Sequence, residues 1–147
     1  MEIRFEEINE NNFEECMSID ILEHQRGFVH STAYSLAQAK IWPFWIPRAI
    51  YDENVMVGFA MYAFDYDEKK MHIVRLIVDH HFQNKGYGRT AMQKLIELWR
   101  EDKRTDRIMI HVEAENTVAK SLYESVGFVD QHRIEYDQET LEYSETK

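Results

Sequence analysis

The segment Gln83-Asn84-Lys85-Gly86-Tyr87-Gly88-Arg89 constrains the fold most, because it joins an apolar strand-like run to the strongest helical pattern in the chain. Upstream, residues 71–78 read as a strand. Downstream, Ala91, Met92, Leu95, Ile96, Leu98 and Trp99 recur on one helical face before a charged run opens at Arg100. A strand that turns into a helix points unpaired backbone N–H groups and the positive end of the helix dipole at one spot, which suits an anion. Gly86 and Gly88 permit close backbone approach and positive φ, while Lys85 and Arg89 add positive charge, so phosphate is the natural ligand. The spacing fits neither a Walker loop nor a dinucleotide fingerprint, and two glycines between a strand and a helix also serve as plain turn chemistry.

The rest of the chain supplies a sheet for this turn. Ile3, Phe5 and Ile8 predict a first strand, and Phe13, Met17, Ile21 and Leu22 predict a helix over residues 11–22 capped by Asn11 or Asn12. A short helix is expected over residues 35–41. Residues 49–51 and 55–64, separated by Asp52-Glu53-Asn54, read as a hairpin that residues 71–78 extend into an antiparallel meander. After the glycine-turn helix come a buried strand at 108–112, a helix at 117–126 closed by a left-handed Gly127, and returning β-structure at 128–136. Strand, helix and strand in the second half imply parallel pairing between the strands at 71 and 108. The expected class is α/β: a mixed, mostly antiparallel sheet covered by helices, in a single domain over residues 1–147.

Composition narrows the partners. With 17 basic and 27 acidic residues the formal net charge is −10, the wrong sign for a nucleic-acid surface but one that draws cations. Apolar runs are too short and interrupted to span a bilayer, the opening Met1-Glu2-Ile3-Arg4 lacks signal-peptide character, and Cys16 is the sole cysteine. A cytoplasmic protein without a disulfide is expected. The seven histidines and one cysteine show no metal-ligand spacing, so no metal is expected, and His80-His81 reads as a turn beside the anion site.

A second half-motif follows at Asn116-Thr117-Val118-Ala119-Lys120-Ser121-Leu122-Tyr123-Glu124-Ser125-Val126-Gly127-Phe128. Together with the Gln-x-x-Gly-x-Gly turn it resembles the Gcn5-related N-acetyltransferase (GNAT) superfamily over nearly the whole chain. That resemblance implies an acetyl-coenzyme A co-substrate whose pantetheine arm enters a splayed pair of parallel strands. Leu76, Ile77 and Val78 would offer backbone groups to the arm, Asn84, Lys85, Gly86, Tyr87, Gly88 and Arg89 would hold the pyrophosphate, and Asn116 would contact the arm. Tyr123 lies seven residues, or two helical turns, beyond Asn116 and matches the family's general acid, which protonates the departing thiolate.

The resemblance implies an amine acceptor. Only about one part in a thousand of an alkylammonium is free base near neutrality, a deficit of roughly 4 kcal/mol, so a base or prior deprotonation is required. Glu23, Asp79, His72, His111 and Glu113 are the candidates, directly or through water. The N-terminal stretches Gln25-Arg26-Gly27-Phe28-Val29, Ser35-Leu36-Ala37-Gln38-Ala39 and Val57-Gly58-Phe59-Ala60-Met61-Tyr62, with Arg75, resemble the bacterial spermine/spermidine branch. This implies a polyamine acceptor, and the family's habit of pairing through C-terminal strands implies a homodimer. Where some polyamine enzymes carry a carboxylate before the glycine turn, this chain has Val74. Trp42, Phe44, Trp45 and Tyr51 form an aromatic cluster that suits either core packing around Pro43 and Pro47 or contact with a cationic substrate.

Overall fold

Apolar residues alternate along the long central strands, so the sheet carries a different core on each face. The computed structural model describes residues 1–147. In chain order the elements are β1 (Ile3–Glu6), α1 (Phe13–Met17), α2 (Thr32–Ile41), β2 (Ile46–Asp52), β3 (Val55–Asp65), β4 (Lys70–Val78), α3 (Tyr87–Glu101), β5 (Arg107–Val112), α4 (Thr117–Ser125), β6 (Val129–Glu135) and β7 (Gln138–Tyr143). Short 3-10 turns occupy Glu23–Gln25 and His80–Phe82. All seven strands form one sheet in the order β1-β2-β3-β4-β5-β7-β6, antiparallel everywhere except between β4 and β5. Met92, Leu95, Ile96 and Trp99 of α3 pack with Tyr123 of α4 onto Met71, Ile73, Ile108 and Ile110 on one face. Cys16 and Ile19 pack with Ala49, Phe59, Met61 and Ile77 on the other. Each fully buried large side chain contributes roughly 1.5–3 kcal/mol. No helix is long and apolar enough to cross a membrane.

The parallel ladder is short, and its end shapes the molecule. It runs from Lys70 opposite Arg107 to Ile73 opposite Ile110 and stops, although β4 continues to Val78. On the β3 side of the same strand, Met61 faces Arg75 while Tyr62 faces Ile73, so Val74 is the extra residue of a bulge. A bulge bends its strand and increases local twist. Placed just after the last parallel rung, it turns β4 away from β5, and the splayed pair expected from the family resemblance follows.

Two expectations need correction. The helix predicted over residues 11–22 is only Phe13–Met17. Asn12 folds its side chain backward, accepting from Asn9 N at 2.8 Å and donating to Glu7 O at 3.0 Å. Past Met17 the chain is drawn to β4, where the Asp79 carboxylate accepts from Asp20 N at 3.1 Å and Asp20 O accepts from His80 N at 2.8 Å. The sheet also holds a strand that the sequence pattern did not reveal: β7 enters between β5 and β6 through a two-residue turn at Tyr136 (φ 55°) and Asp137 (φ 59°). That left-handed pair is the geometry tight hairpins favour, but it lacks the glycine that normally signals it.

Gly58 sits on β3 opposite Val78 of β4. A Cβ there would lie 2.3 Å from Ile77 O, a backbone atom that cannot step aside. Gly58→Ala is therefore expected to lose about 1–3 kcal/mol in denaturant unfolding, as overpacked sites do; an unchanged midpoint would refute this packing.

Candidate functional site: a cleft at the splayed strands

Beyond Ile73 the outer edge of β4 has no strand partner, while its inner edge stays paired, Leu76 to Ala60, Ile77 to Phe59 and Val78 to Gly58. The backbone groups on that open edge border a cleft of about 330 Å³, closed on other sides by the start of α3, by α4 and by the loop after α1. Leu76, Ile77, Val78, Asn84, Gly86, Tyr87, Gly88, Arg89, Asn116 and Tyr123 all line it. Lys85 does not: its ammonium lies on the rim, 5.8 Å from the Phe82 ring centre.

At the anion end, Asn84 (φ 61°) and Gly86 (φ 89°) both adopt left-handed backbone, which turns successive N–H groups inward. The first N–H of this region with a backbone acceptor is that of Thr90, bonded to Gly86 O at 3.1 Å. The N–H groups of Tyr87, Gly88 and Arg89 thus face the cleft without a backbone partner, at the positive end of a fifteen-residue helix. Gly88 lets α3 sit against α4, since a Cβ would meet Leu122 Cδ2 at 3.0 Å. Tyr87 anchors the turn by donating its hydroxyl to Asp52 at 2.6 Å, a bond that holds the Asp52 carboxyl below its ordinary range. This donor set fits a pyrophosphate.

Across the cleft, Asn116 lines the wall and caps α4 with its side-chain oxygen on Ala119 N at 3.4 Å. Tyr123 packs its ring in the core 6.3 Å from that of Phe128 while also lining the cleft. Burial alone pushes its hydroxyl up to about 12, so it stays protonated throughout the physiological range. It can donate, and it is not a base.

Gln25 and Gln83 contribute a feature that lay hidden in the sequence. Their side-chain amides pair reciprocally at 3.1 and 3.0 Å, and Gln83 also donates to Val78 O at 3.0 Å. Gln25 in turn accepts from Leu22 N at 3.0 Å. The loop carrying Ile21, Phe28 and Val29 is thereby latched to the turn and becomes a wall of the cleft. No local spacing encodes a pair 58 positions apart. Asp79 fastens the same loop from below. Burial raises its carboxyl, but donations from Asp20 N, His81 N and the His81 ring outweigh this and leave it below the ordinary range. Asp79, His80 and His81 place one ligand-type atom each within 4.8 Å of one another, yet both Asp79 oxygens already accept N–H donors.

The remaining candidates disperse. Glu23 stands in the exposed 3-10 turn, and Glu113 accepts from Gln138 at 3.2 Å. His72 and His111 meet at 3.2 Å on the face of the sheet opposite α3 and α4. Of the aromatic cluster, Trp45 and Tyr51 pack on the α1–α2 core, Trp42 and Phe44 are exposed, and none of the four lines the cleft. Arg75 joins β4 to α2 by donating to Ser35 Oγ at 3.0 Å and to Gln38.

Comparison with known proteins agrees with this geometry. The pattern of the Acetyltransferase (GNAT) family matches residues 6–128. A probable spermine N(1)-acetyltransferase of Bacillus subtilis subsp. natto (strain BEST195) is 27% identical over 147 residues, covering 96% of this chain and 97% of the relative. Among solved structures, spermidine N-acetyltransferase of Vibrio cholerae in complex with CoA and spermine superposes with a TM-score of 0.75 at 15% identity, over 95% of this chain and 92% of that one. The aminoglycoside acetyltransferase AAC(6')-Ib in complex with coenzyme A gives 0.81 at 15% identity, over 97% and 95%. Fold likeness thus spans enzymes with unlike acceptors. From the strand-turn-helix, the splayed pair and the match over residues 6–128, this chain belongs to the acetyltransferase (GNAT) family, which uses acetyl-coenzyme A as co-substrate.

Proposed function

We propose that the protein transfers an acetyl group from acetyl-coenzyme A to a primary amine of a polyamine such as spermidine or spermine, by direct attack in a ternary complex. The observation that carries the acceptor is the full-length relationship to the spermine acetyltransferase of Bacillus subtilis subsp. natto, 27% identical over 96% of this chain. A net charge of −10 supports it, since an acidic field concentrates a polycation. A cytoplasmic setting and the pairing of two copies at β6, an edge strand that exposes Val129 and Ile134, complete the reading.

The residues divide the work by position. Backbone N–H groups of the turn and the Arg89 guanidinium hold the pyrophosphate, and the open edge of β4 at Leu76, Ile77 and Val78 directs the arm into the wedge. Bound acetyl-coenzyme A supplies an activated acyl group as its thioester. Tyr123 donates its proton as thiolate character develops, on a group whose ordinary value is about 8.5. Apolar Ile21, Phe28, Val29 and Leu122 keep water from the same space.

Two measurements test this reading. In an initial-rate screen by thiol release, spermidine, spermine or diamines should turn over in preference to aminoglycosides, amino acids and peptide N-termini; turnover confined to one of those other amines would sink the polyamine assignment. Tyr123→Phe should lower kcat by about 100- to 10,000-fold with coenzyme A affinity nearly unchanged. A rate that ignores the substitution would mark a different acid or a non-catalytic coenzyme A module.

A further inference from the structure

The turn at the anion end of the cleft is held by a single side chain. In Gly86-Tyr87-Gly88 the two glycines leave the backbone free to take many conformations, and Gly86 uses that freedom at φ 89°. Only Tyr87 offers a side chain through which the rest of the molecule can fix the N–H groups of Tyr87, Gly88 and Arg89. Its ring packs on the cluster of Ile3, Ile50, Val57, Ala60 and Ala91 and meets Phe82 edge-on at 6.1 Å. Its hydroxyl donates to Asp52 Oδ2 at 2.6 Å. We propose that Asp52, which does not itself line the cleft, is a positioning residue for coenzyme A: it holds Tyr87, and through Tyr87 the whole turn, in the arrangement that receives the pyrophosphate. This rests on the coenzyme A site and not on which amine is acetylated.

Asp52 is a firm anchor because its own backbone is fixed from two sides. At the end of β2 it pairs with Ile3 of β1 and with Val55 of β3. Its other oxygen, Oδ1, accepts from Glu2 N at 3.0 Å, so both oxygens are engaged and the carboxylate cannot swing away from Tyr87. Met1 supports the turn from the same side, its terminal methyl lying 3.9 Å from where a Cβ on Gly86 would stand. Met1, Glu2 and Ile3 all precede residues 6–128, so this half of the clamp lies outside the segment that the family pattern matches.

Charge strengthens the clamp. A hydroxyl that donates to a carboxylate forms a shorter bond, roughly twice as strong as one between neutral groups. The Tyr87 bond first, and the Glu2 N–H after it, keep the Asp52 carboxyl below its ordinary range, while the same bond raises the Tyr87 hydroxyl. The acceptor thus stays ionised and the donor protonated across the physiological range.

The consequence falls on binding rather than on chemistry. A turn with two glycines loses much freedom when its amides align on a ligand, and a clamp that aligns them beforehand removes that loss from the binding step. Tyr123 and the open edge of β4 do not touch Asp52, so the bound thioester reacts as before once the site is filled. An interaction made equally in the ground state and the transition state moves KM and leaves kcat alone.

The test combines calorimetric titration of coenzyme A with initial rates on any primary amine the wild type turns over, for wild type, Asp52→Ala, Asp52→Asn, Tyr87→Phe and the Asp52→Ala/Tyr87→Phe double variant. Asp52→Ala and Tyr87→Phe should each weaken coenzyme A binding about 10-fold, and the double variant no further, because both remove one bond. Asp52→Asn, which keeps the shape and removes the charge, should fall between wild type and Asp52→Ala. In Asp52→Ala the acetyl-coenzyme A KM should rise by the same factor, with kcat and the amine KM unmoved. A merely structural Asp52 would instead lower the melting temperature, or reduce kcat with the folded fraction, and leave coenzyme A affinity at the wild-type value. That pattern, or additive losses in the double variant, would overturn the clamp while leaving the coenzyme A site intact. A wild type that binds no coenzyme A would overturn both.

Discussion

The parallel ladder between β4 and β5 stops after Ile73 and Ile110, and the site depends on that early stop. A paired edge would satisfy every backbone group of Leu76, Ile77 and Val78 within the sheet, leaving nothing for a ligand and no gap to enter. The bulge at Val74 breaks the pairing at the cost of one unpaired residue, and β3 keeps the strand in place from its other side. The irregularity is confined to one position, and both faces of the sheet near it are packed, by α3 and α4 on one side and by the α1 region on the other.

From this break the polarity of the site follows. The wedge runs from the start of α3, where three unpaired N–H groups and the helix dipole favour an anion, to a vertex flanked by Tyr123 on one face and the His72–His111 row on the other. The turn and the open edge of β4 thereby form one continuous groove suited to a long anionic co-substrate. The Gln25–Gln83 pair joins the wall of the cleft to the turn at its anion-favouring end, so order in one carries to the other.

The cofactor half of the site was legible in the sequence because its chemistry is local. Gly86, Gly88 and the face Ala91, Met92, Leu95, Ile96 and Trp99 declare the turn and its helix within fourteen residues, and Asn116 to Phe128 repeats such a signal. What escaped was non-local or lacked a marker. The shortened α1 depends on Asp20 meeting Asp79, 59 positions away, and β7 follows a turn built from Tyr136 and Asp137 rather than glycine. His72 and His111 were visible as candidates, but their contact and the arrival of Glu135 come only from register across β4, β5, β7 and β6. The exposed Trp42 and Phe44 show the converse: aromatic residues clustered in sequence do not thereby reach the cleft.

Backbone amide NMR with coenzyme A as the titrant tests the wedge most directly. Shifts concentrated at Leu76–Val78, Asn84–Arg89 and Asn116 are predicted, with the Gln83 side-chain amide following as the latch responds. Shifts confined to the His80–Phe82 turn, to the β1–α3 side or to β6, with the open edge of β4 silent, would contradict the account.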